Sequence, residues 1–212
     1  MTFTPQAMQR LRHNEASLAI LTWRLGTEDR DRWQRVADIA NQLSIKPGSR
    51  VADIGSGDGY LSVRLARIVG SGGKVFAVDI DKKILDELQW RAREAGLNQI
   101  AAVTDDADDP KLPRDSLDAA VIVNAYHEMP EHQQMLAHIF NALKPGGRIV
   151  LVEPFSEAMR LQPRTNQEKQ HKIAPELVIE DLRQAGFKLV ARDDNFINED
   201  QLRQRLVVAQ RP

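Results

Sequence analysis

The chain contains no cysteine among its 212 residues. That excludes disulfides, thiolate metal centres and cysteine nucleophiles. It leaves the redox compartment open, because a cysteine-free protein folds in either setting. Charge of one sign is also lacking: 29 Lys and Arg face 30 Asp and Glu, interspersed, for a net charge of −1. Bulk electrostatics therefore give no reason to expect nucleic acid or an anionic membrane as a partner. No apolar run is long enough to span a bilayer. The opening Met1-Thr2-Phe3-Thr4-Pro5 has no basic stretch followed by an apolar one, so no signal peptide is read there and a cytoplasmic protein is the default. The composition is that of an ordinary globular domain, 42% hydrophobic and 28% charged, and the length suits one core.

Periodicity divides the chain. Residues 1–45 read as a helical extension or cap on a domain spanning 46–212. Leu11, Leu18, Leu21 and Leu25 fall near helical spacing before a stop at Gly26, and Trp33, Val36, Ala37, Ala40 and Leu43 form a second stripe. Lys46-Pro47-Gly48-Ser49 then turns the chain. Strand-like runs follow at 50–54, 74–78, 100–103, 119–124 and 148–153, with helix-like runs at 59–69, 82–95 and 131–143 between them. Val- and Ile-rich strands alternating with helices predict an α/β fold, a Rossmann-like, mostly parallel sheet with helices on both faces. Right-handed crossovers put the C-terminal strand ends on one edge, where ligands bind. After a helix at 175–184, strands at 187–191 and 205–209 are joined by the polar stretch 192–199, too short for a helical crossover, so they should be antiparallel. The polar segment 154–172 reads as a loop or short helix over that edge.

The chemistry concentrates after the first strand, in Asp53-Ile54-Gly55-Ser56-Gly57-Asp58-Gly59-Tyr60. Glycines there allow a tight turn and close approach of backbone N–H groups to a ligand. Asp79, in Val78-Asp79-Ile80-Asp81, ends the second strand, where a carboxylate accepts from both hydroxyls of a ribose. Capping the next helix is the rival use of such an acid, and Asp81 is better placed for it. Two cofactors fit this outline: a nicotinamide dinucleotide and S-adenosylmethionine. Asp53 and Asp58 would repel a pyrophosphate, which prefers Gly-x-Gly-x-x-Gly. Beside a sulfonium and an ammonium they are tolerable, so the local charge favours S-adenosylmethionine, with S-adenosylhomocysteine as product.

With these residues in order, the chain resembles a class I S-adenosylmethionine-dependent methyltransferase over almost its whole length. Asp53–Gly59 matches that family's first motif and Asp79 its ribose acid. Asp106-Ala107, leading into Leu112-Pro113, resembles the segment that holds adenine, although Asp105, Asp108 and Asp109 crowd it and a slip of one residue is open. Leu143-Lys144-Pro145-Gly146-Gly147-Arg148 matches the turn before the fifth strand, where the glycines serve structure only. The resemblance implies a seven-stranded sheet closed by a reversed last strand. Asn124-Ala125-Tyr126-His127-Glu128-Met129 and Val152-Glu153-Pro154 are similar to a bacterial small-molecule branch near the ubiquinone-type and arsenite-type enzymes. Arsenite chemistry needs cysteine thiolates and is not implied here.

The cofactor is thus expected on Asp53, Gly55, Ser56, Gly57, Gly59, Tyr60, Asp79, Ile80, Asp106, Ala107 and Asn124. Methyl transfer by in-line displacement needs the acceptor about 3–3.5 Å from the methyl carbon. His127 is the first candidate for a base where the acceptor must lose a proton, with Tyr126 and Glu128 beside it; packing or capping is its rival role. Glu153, His171 and Phe155 are substrate-side candidates, whereas His132, His138 and the tryptophans Trp23 and Trp33 read as packing or surface residues. A two-histidine, one-carboxylate metal site from His127, Glu153 and His171 finds no support in their spacing, so no metal is expected. The acceptor should be a small molecule, with no nucleic acid, since no base-flipping motif follows the fourth strand; a homodimer is allowed. The competing reading is a non-catalytic S-adenosylmethionine-binding scaffold or sensor, whose signature would be a broken glycine turn or a missing ribose acid.

Overall fold

The computed structural model describes residues 28–199 and 202–212. The first predicted helix, with Leu11 to Leu25 and Gly26, lies outside them. Two helices open the described chain, α1 (Glu28–Trp33) and α2 (Val36–Leu43). They lead into β1 (Arg50–Ile54), α3 (Tyr60–Val69), β2 (Lys74–Asp79), α4 (Lys82–Glu94), β3 (Ile100–Thr104) and β4 (Leu117–Val123). Then come α5 (His132–Ala142), β5 (Leu143–Pro154), α6 (Arg164–Glu168), α7 (Pro175–Gln184), β6 (Lys188–Glu199) and β7 (Leu202–Gln210), with single 3-10 turns at Tyr126–Glu128 and Glu157–Met159.

The seven strands form one sheet in the order β3-β2-β1-β4-β5-β7-β6. The first five run parallel, and β7 lies antiparallel to both β5 and β6. The alternation of a strand places Val51, Val75, Val121 and Val150 on one face with α2, α3 and α4, and Ile54, Ile122, Ile149 and Leu151 on the other with α5 and α7. In α2 the buried residues are Val36, Ile39, Ala40 and Leu43. Ala37, expected in that stripe, is exposed, as is much of Trp33. Asp81 caps α4, accepting from the Lys83 and Ile84 backbone N–H groups at 2.8 and 3.3 Å, which leaves the acid at the end of β2 available for other work.

β5 takes in the expected turn at 143–148, starting at Leu143, and the C-terminal edge of the sheet also departs from its expected bounds. The polar stretch 192–199 is not a connection but the second half of β6, paired to β7 through Ile197↔Gln204 and Glu199↔Leu202. An edge strand needs little apolar burial to pair, and only Phe196 and Ile197 of this half are buried. Segment 154–172 carries two short helical pieces, pinned by the buried Gln167, whose amide donates to the Gln162 carbonyl at 2.8 Å and accepts from the Ala174 N–H at 2.7 Å. Among the described residues no helix is long and apolar enough to cross a membrane.

The order reverses direction between β1 and β4, the switch point where open α/β sheets bind ligands. The loop there rests on α4: a Cβ added at Gly59 would stand 2.2 Å from Leu88 Cδ1. Leu88 is fully buried. Truncating it to alanine should cost about 2–5 kcal/mol in chemical denaturation; a loss below about 1 kcal/mol would show that α4 does not support this loop.

Candidate functional site

The loop after β1 is tied to β2 by its backbone. Gly55 and Ser56 both donate to the Val78 carbonyl, at 2.9 and 3.0 Å, and Gly57 N–H donates to Asp79 Oδ2 at 2.9 Å. Gly55 is indispensable on two counts: its φ is +71°, and an added Cβ would meet Ala125 Cβ at 2.4 Å. Gly57 differs, because a Cβ there meets nothing within 4 Å. It faces open space on the ligand side.

Two cavities flank this loop. One, of about 300 Å³, is lined by Arg30, Trp33, Gln34, Asp53, Gly55, Ser56, Gly57, Asp58, Tyr60, Leu61, Val123, Asn124 and Gln204. The other, of about 290 Å³, is lined by Gly55, Gly57, Asp79, Ile80, Asp105, Ala107, Asn124, Ala125, Glu128 and Met129, with Pro130 and Met135 behind. Gly55, Gly57 and Asn124 belong to both, so the two form one cleft along the rim. Of the predicted cofactor residues, Asp53, Gly55, Ser56, Gly57, Tyr60, Asp79, Ile80, Ala107 and Asn124 lie on it. Gly59 sits behind the loop against Leu88. Tyr60 is fixed with its hydroxyl donating to Asp31 and its ring between the Arg30 and Arg64 guanidiniums, 3.6 and 3.8 Å from the centroid.

Asp106 does not reach the cleft. Its exposed carboxylate pairs with Lys111 at 2.9 Å. The neighbour Asp105 is buried and lines the cavity instead, with Oδ1 unpartnered. Successive residues leaving a strand point to opposite sides, so the slip of one residue exchanges an inward acid for an outward one. Burial, with Asp79 and Asp106 nearby, pushes the Asp105 carboxyl up to about 6. Asp53 is likewise pushed up to about 6, chiefly by its burial, while its Oδ2 accepts from Ser62 Oγ at 2.6 Å.

The turn after β4 rearranges the catalytic candidates. Tyr126 is buried and points away from the cleft: its hydroxyl donates to Asp181 Oδ2 on α7 at 2.8 Å, and its ring packs edge-on against His132. Burial and the adjacent Asp181 hold its proton far more tightly than usual. Glu153 is no substrate-side group either. From the end of β5 its Oε1 accepts from the Ala125 and Tyr126 N–H groups, both at 2.9 Å, and its Oε2 lies 2.6 Å from His127 Nδ1. Phe155 is buried, with the guanidiniums of Arg160 and Arg205 at 4.7 and 5.0 Å from its centroid, and lines neither cavity. His127 is buried behind the wall and Glu128 forms part of it. Burial alone would lower the pKa of His127, but its bond to Glu153, with Glu128 and Glu168 nearby, raises it above the ordinary value. The exposed His171 lies with Nδ1 3.3 Å from Glu128 Oε1. Asp105, Arg30, Gln34 and Gln204 are among the cleft residues that sequence reasoning missed; the aspartate crowding after β3 signalled the first, and nothing local signals the others.

Residues 51–147 match the family model described as a methyltransferase domain. The ubiquinone/menaquinone biosynthesis C-methyltransferase UbiE of Vibrio vulnificus is 32% identical over 109 residues, 51% of this chain and 42% of that protein. Over residues 51–147, a little less than half of the chain, the protein is similar to a methyltransferase domain. It spans about half the length of the curated relatives it matches. Among solved structures, an S-adenosylmethionine-dependent methyltransferase from Aquifex aeolicus superimposes over 100% of both chains with a TM-score of 0.73 and 18% identity. The [4+2]-cyclase SpnF covers 85% of this chain and 81% of its own with a TM-score of 0.71 and 19% identity. These two likenesses show the fold alone, a seven-stranded sheet with its last strand reversed.

The buried Asp53 gives a pH-dependent consequence. Its folded value, about 6, lies above the ordinary 3.8. The stability it contributes is therefore fully present below the unfolded value and lost as pH rises through the folded one. Asp53→Asn keeps an acceptor for Ser62 and removes the buried charge. It should be more stable than the parent by about 1–3 kcal/mol near pH 7.5 and show no such gain near pH 4. Denaturation at the two pH values checks this; equal differences at both would contradict it.

Proposed function

We propose that this protein moves a methyl group from S-adenosylmethionine to a small-molecule acceptor by in-line displacement. The observation that carries the reading is the cleft at the β1/β4 switch point, where three buried side-chain oxygens, Ser56 Oγ, Asp105 Oδ1 and Gln204 Oε1, have no protein partner. Buried acceptors and hydroxyls of this kind are costly unless a ligand satisfies them. Asp79 spends one oxygen on Gly57 N–H and the other on Asp81 N–H at 3.0 Å. A carboxylate offers about four lone-pair sites, so it retains capacity for two ribose hydroxyls. Asp105 takes the adenine-side acceptor role, beside Ala107 and Ile80. Asp53, Ser56 and Asn124 border the other cavity, where a carboxyl-rich wall favours a cationic amino-acid moiety over a pyrophosphate.

When bound, S-adenosylmethionine supplies an electrophilic methyl on a sulfonium leaving group. The protein's part is to bind, to orient and to exclude water. Glu128 is the titratable side chain of the post-β4 turn that reaches the cavity, with His127 directly behind it, Nε2 at 3.6 Å from Glu128 Oε1. This pair is the proton acceptor for a hydroxyl or acidic-carbon acceptor; a neutral amine needs positioning alone. A net charge of −1 supports a small molecule over nucleic acid.

Calorimetry with S-adenosylhomocysteine tests the cofactor assignment. Asp79→Ala and Asp105→Ala should each weaken binding about 10–100-fold through lost charge-assisted bonds, and Asp106→Ala should stay within about twofold. Tight NAD binding without binding of the sulfonium ligand would refute the assignment, as would unchanged affinity in both folded variants. Methyl transfer is tested separately, with labelled S-adenosylmethionine and a panel of hydroxyl, amine and quinol acceptors. Retention of cofactor without transfer across the panel would favour the scaffold reading.

A further inference from the structure

Three metal-binding side chains meet beside the second cavity. Glu128 Oε1 lies 3.6 Å from His127 Nε2 and 3.3 Å from His171 Nδ1. One ligand atom from each of the three residues lies within 4.8 Å of the others. Atoms bound to one zinc-sized ion at about 2.1 Å and near-tetrahedral angles stand about 3.4 Å apart. The trio is therefore close to ligand spacing already. Two imidazoles and a carboxylate suit a divalent first-row transition ion and need no cysteine.

The surroundings point the same way. A ligating histidine characteristically donates its other ring N–H to a carboxylate, which fixes the tautomer and presents the free nitrogen to the ion. His127 has this arrangement: Nδ1 lies 2.6 Å from the buried Glu153, and Nε2 is the nitrogen facing Glu128. Glu153 is itself held by backbone donors, so the imidazole has little freedom to turn away. His171 comes from a different element, yet its ring stands edge-on to that of His127 with centroids 5.6 Å apart. Its φ of +51° is a conformation that non-glycine residues adopt at a cost. Tight backbone bonds hold it there, from His171 N–H to the Glu168 carbonyl at 2.8 Å and from Lys172 N–H to the Gln167 carbonyl at 3.0 Å. That backbone closes the turn after α6 as a left-handed cap and brings the ring beside His127.

We propose that His127, Glu128 and His171 form a binding site for a divalent transition-metal ion such as Zn²⁺, at the edge of the cofactor cleft. Because Glu128 also lines that cleft, a three-ligand ion there keeps positions for water or for an oxygen of the acceptor. A bound hydroxyl would lose its proton more easily on such an ion, so the ion takes over the activation that the His127–Glu128 pair otherwise performs. The site rests on these side chains and not on the identity of the cofactor.

The full chain, stripped with a chelator, is titrated with Co²⁺ and then with Zn²⁺. One equivalent of Co²⁺ should give visible ligand-field bands that Zn²⁺ displaces. His171→Ala and Glu128→Gln should weaken Zn²⁺ binding about tenfold or more. His171 is an exposed side chain, and an unchanged metal-free melting midpoint shows its variant to be folded. No stoichiometric Co²⁺ uptake, or equal affinity in parent and both variants, overturns the proposal. The same titration with S-adenosylhomocysteine present keeps the two readings apart, since either ligand can fail to bind without the other.

Discussion

A single buried carboxylate organises the rim of this sheet. Glu153 stands at the end of β5 and accepts from two consecutive backbone N–H groups of the turn after β4, while bonding the His127 ring. Those donors are buried or nearly so and have no strand partner, so without Glu153 each would carry an unsatisfied-donor cost of about 1–3 kcal/mol. The held turn has consequences on both sides. Ala125 rests on the glycine loop so closely that Gly55 admits no side chain. Tyr126 is sent outward to Asp181, and His127 is fixed behind Glu128. Position along β5 thus determines where the two cavities end and which titratable groups stand between them.

The second constraint is electrostatic. Asp53, Asp79 and Asp105 come from three strand ends and share one rim. The raised values of Asp53 and Asp105, both near 6, each include repulsion from Asp79 after the dominant effect of burial. A fold selected for stability alone would not assemble such a group. A cleft of this kind stabilises positive charge and hydroxyl donors, which is the reverse of what a dinucleotide's pyrophosphate requires. At the post-β4 turn Glu128, Glu153 and Glu168 likewise surround one imidazole and together make that corner hospitable to a proton or a dication.

What could be read from the sequence was what local rules encode. The alternation of Val- and Ile-rich strands with helices revealed the parallel sheet, and the glycines after Ile54 marked the loop, because tight turns constrain residue type directly. Asp81 was legible as a cap for the same reason. The direction of a side chain at a strand end is not so encoded: one residue decides between Asp105 and Asp106, and only pairing register settles it. Edge strand β6 escaped in its polar half because exposure on one side erases the hydrophobic signal. Tyr126, Glu153 and Phe155 look functional from their position after buried strands, but a polar group in that place can equally be satisfied by the fold, as the Asp181 and backbone partners show.

The division between legible and illegible parts follows the division between cofactor and acceptor. Residues 51–147, which carry the family match, contain the glycine loop, Asp79, Asp105 and the turn through Glu128. Trp33, Gln34 and Gln204 on the first cavity, and His171 beside Glu128, all fall outside that segment. A bound cofactor presents the same atoms to every member of such a family, so backbone turns and strand-end acids suffice to hold it, and these leave strong local patterns. An acceptor is met instead by side chains drawn from distant, weakly patterned segments, and α1 and β7 bring such side chains, Trp33 and Gln204, to the first cavity. The acceptor of a ubiquinone/menaquinone biosynthesis C-methyltransferase therefore does not follow from shared cofactor machinery; it has to be sought in the chemistry of Gln34, Gln204 and His171, outside the matched segment.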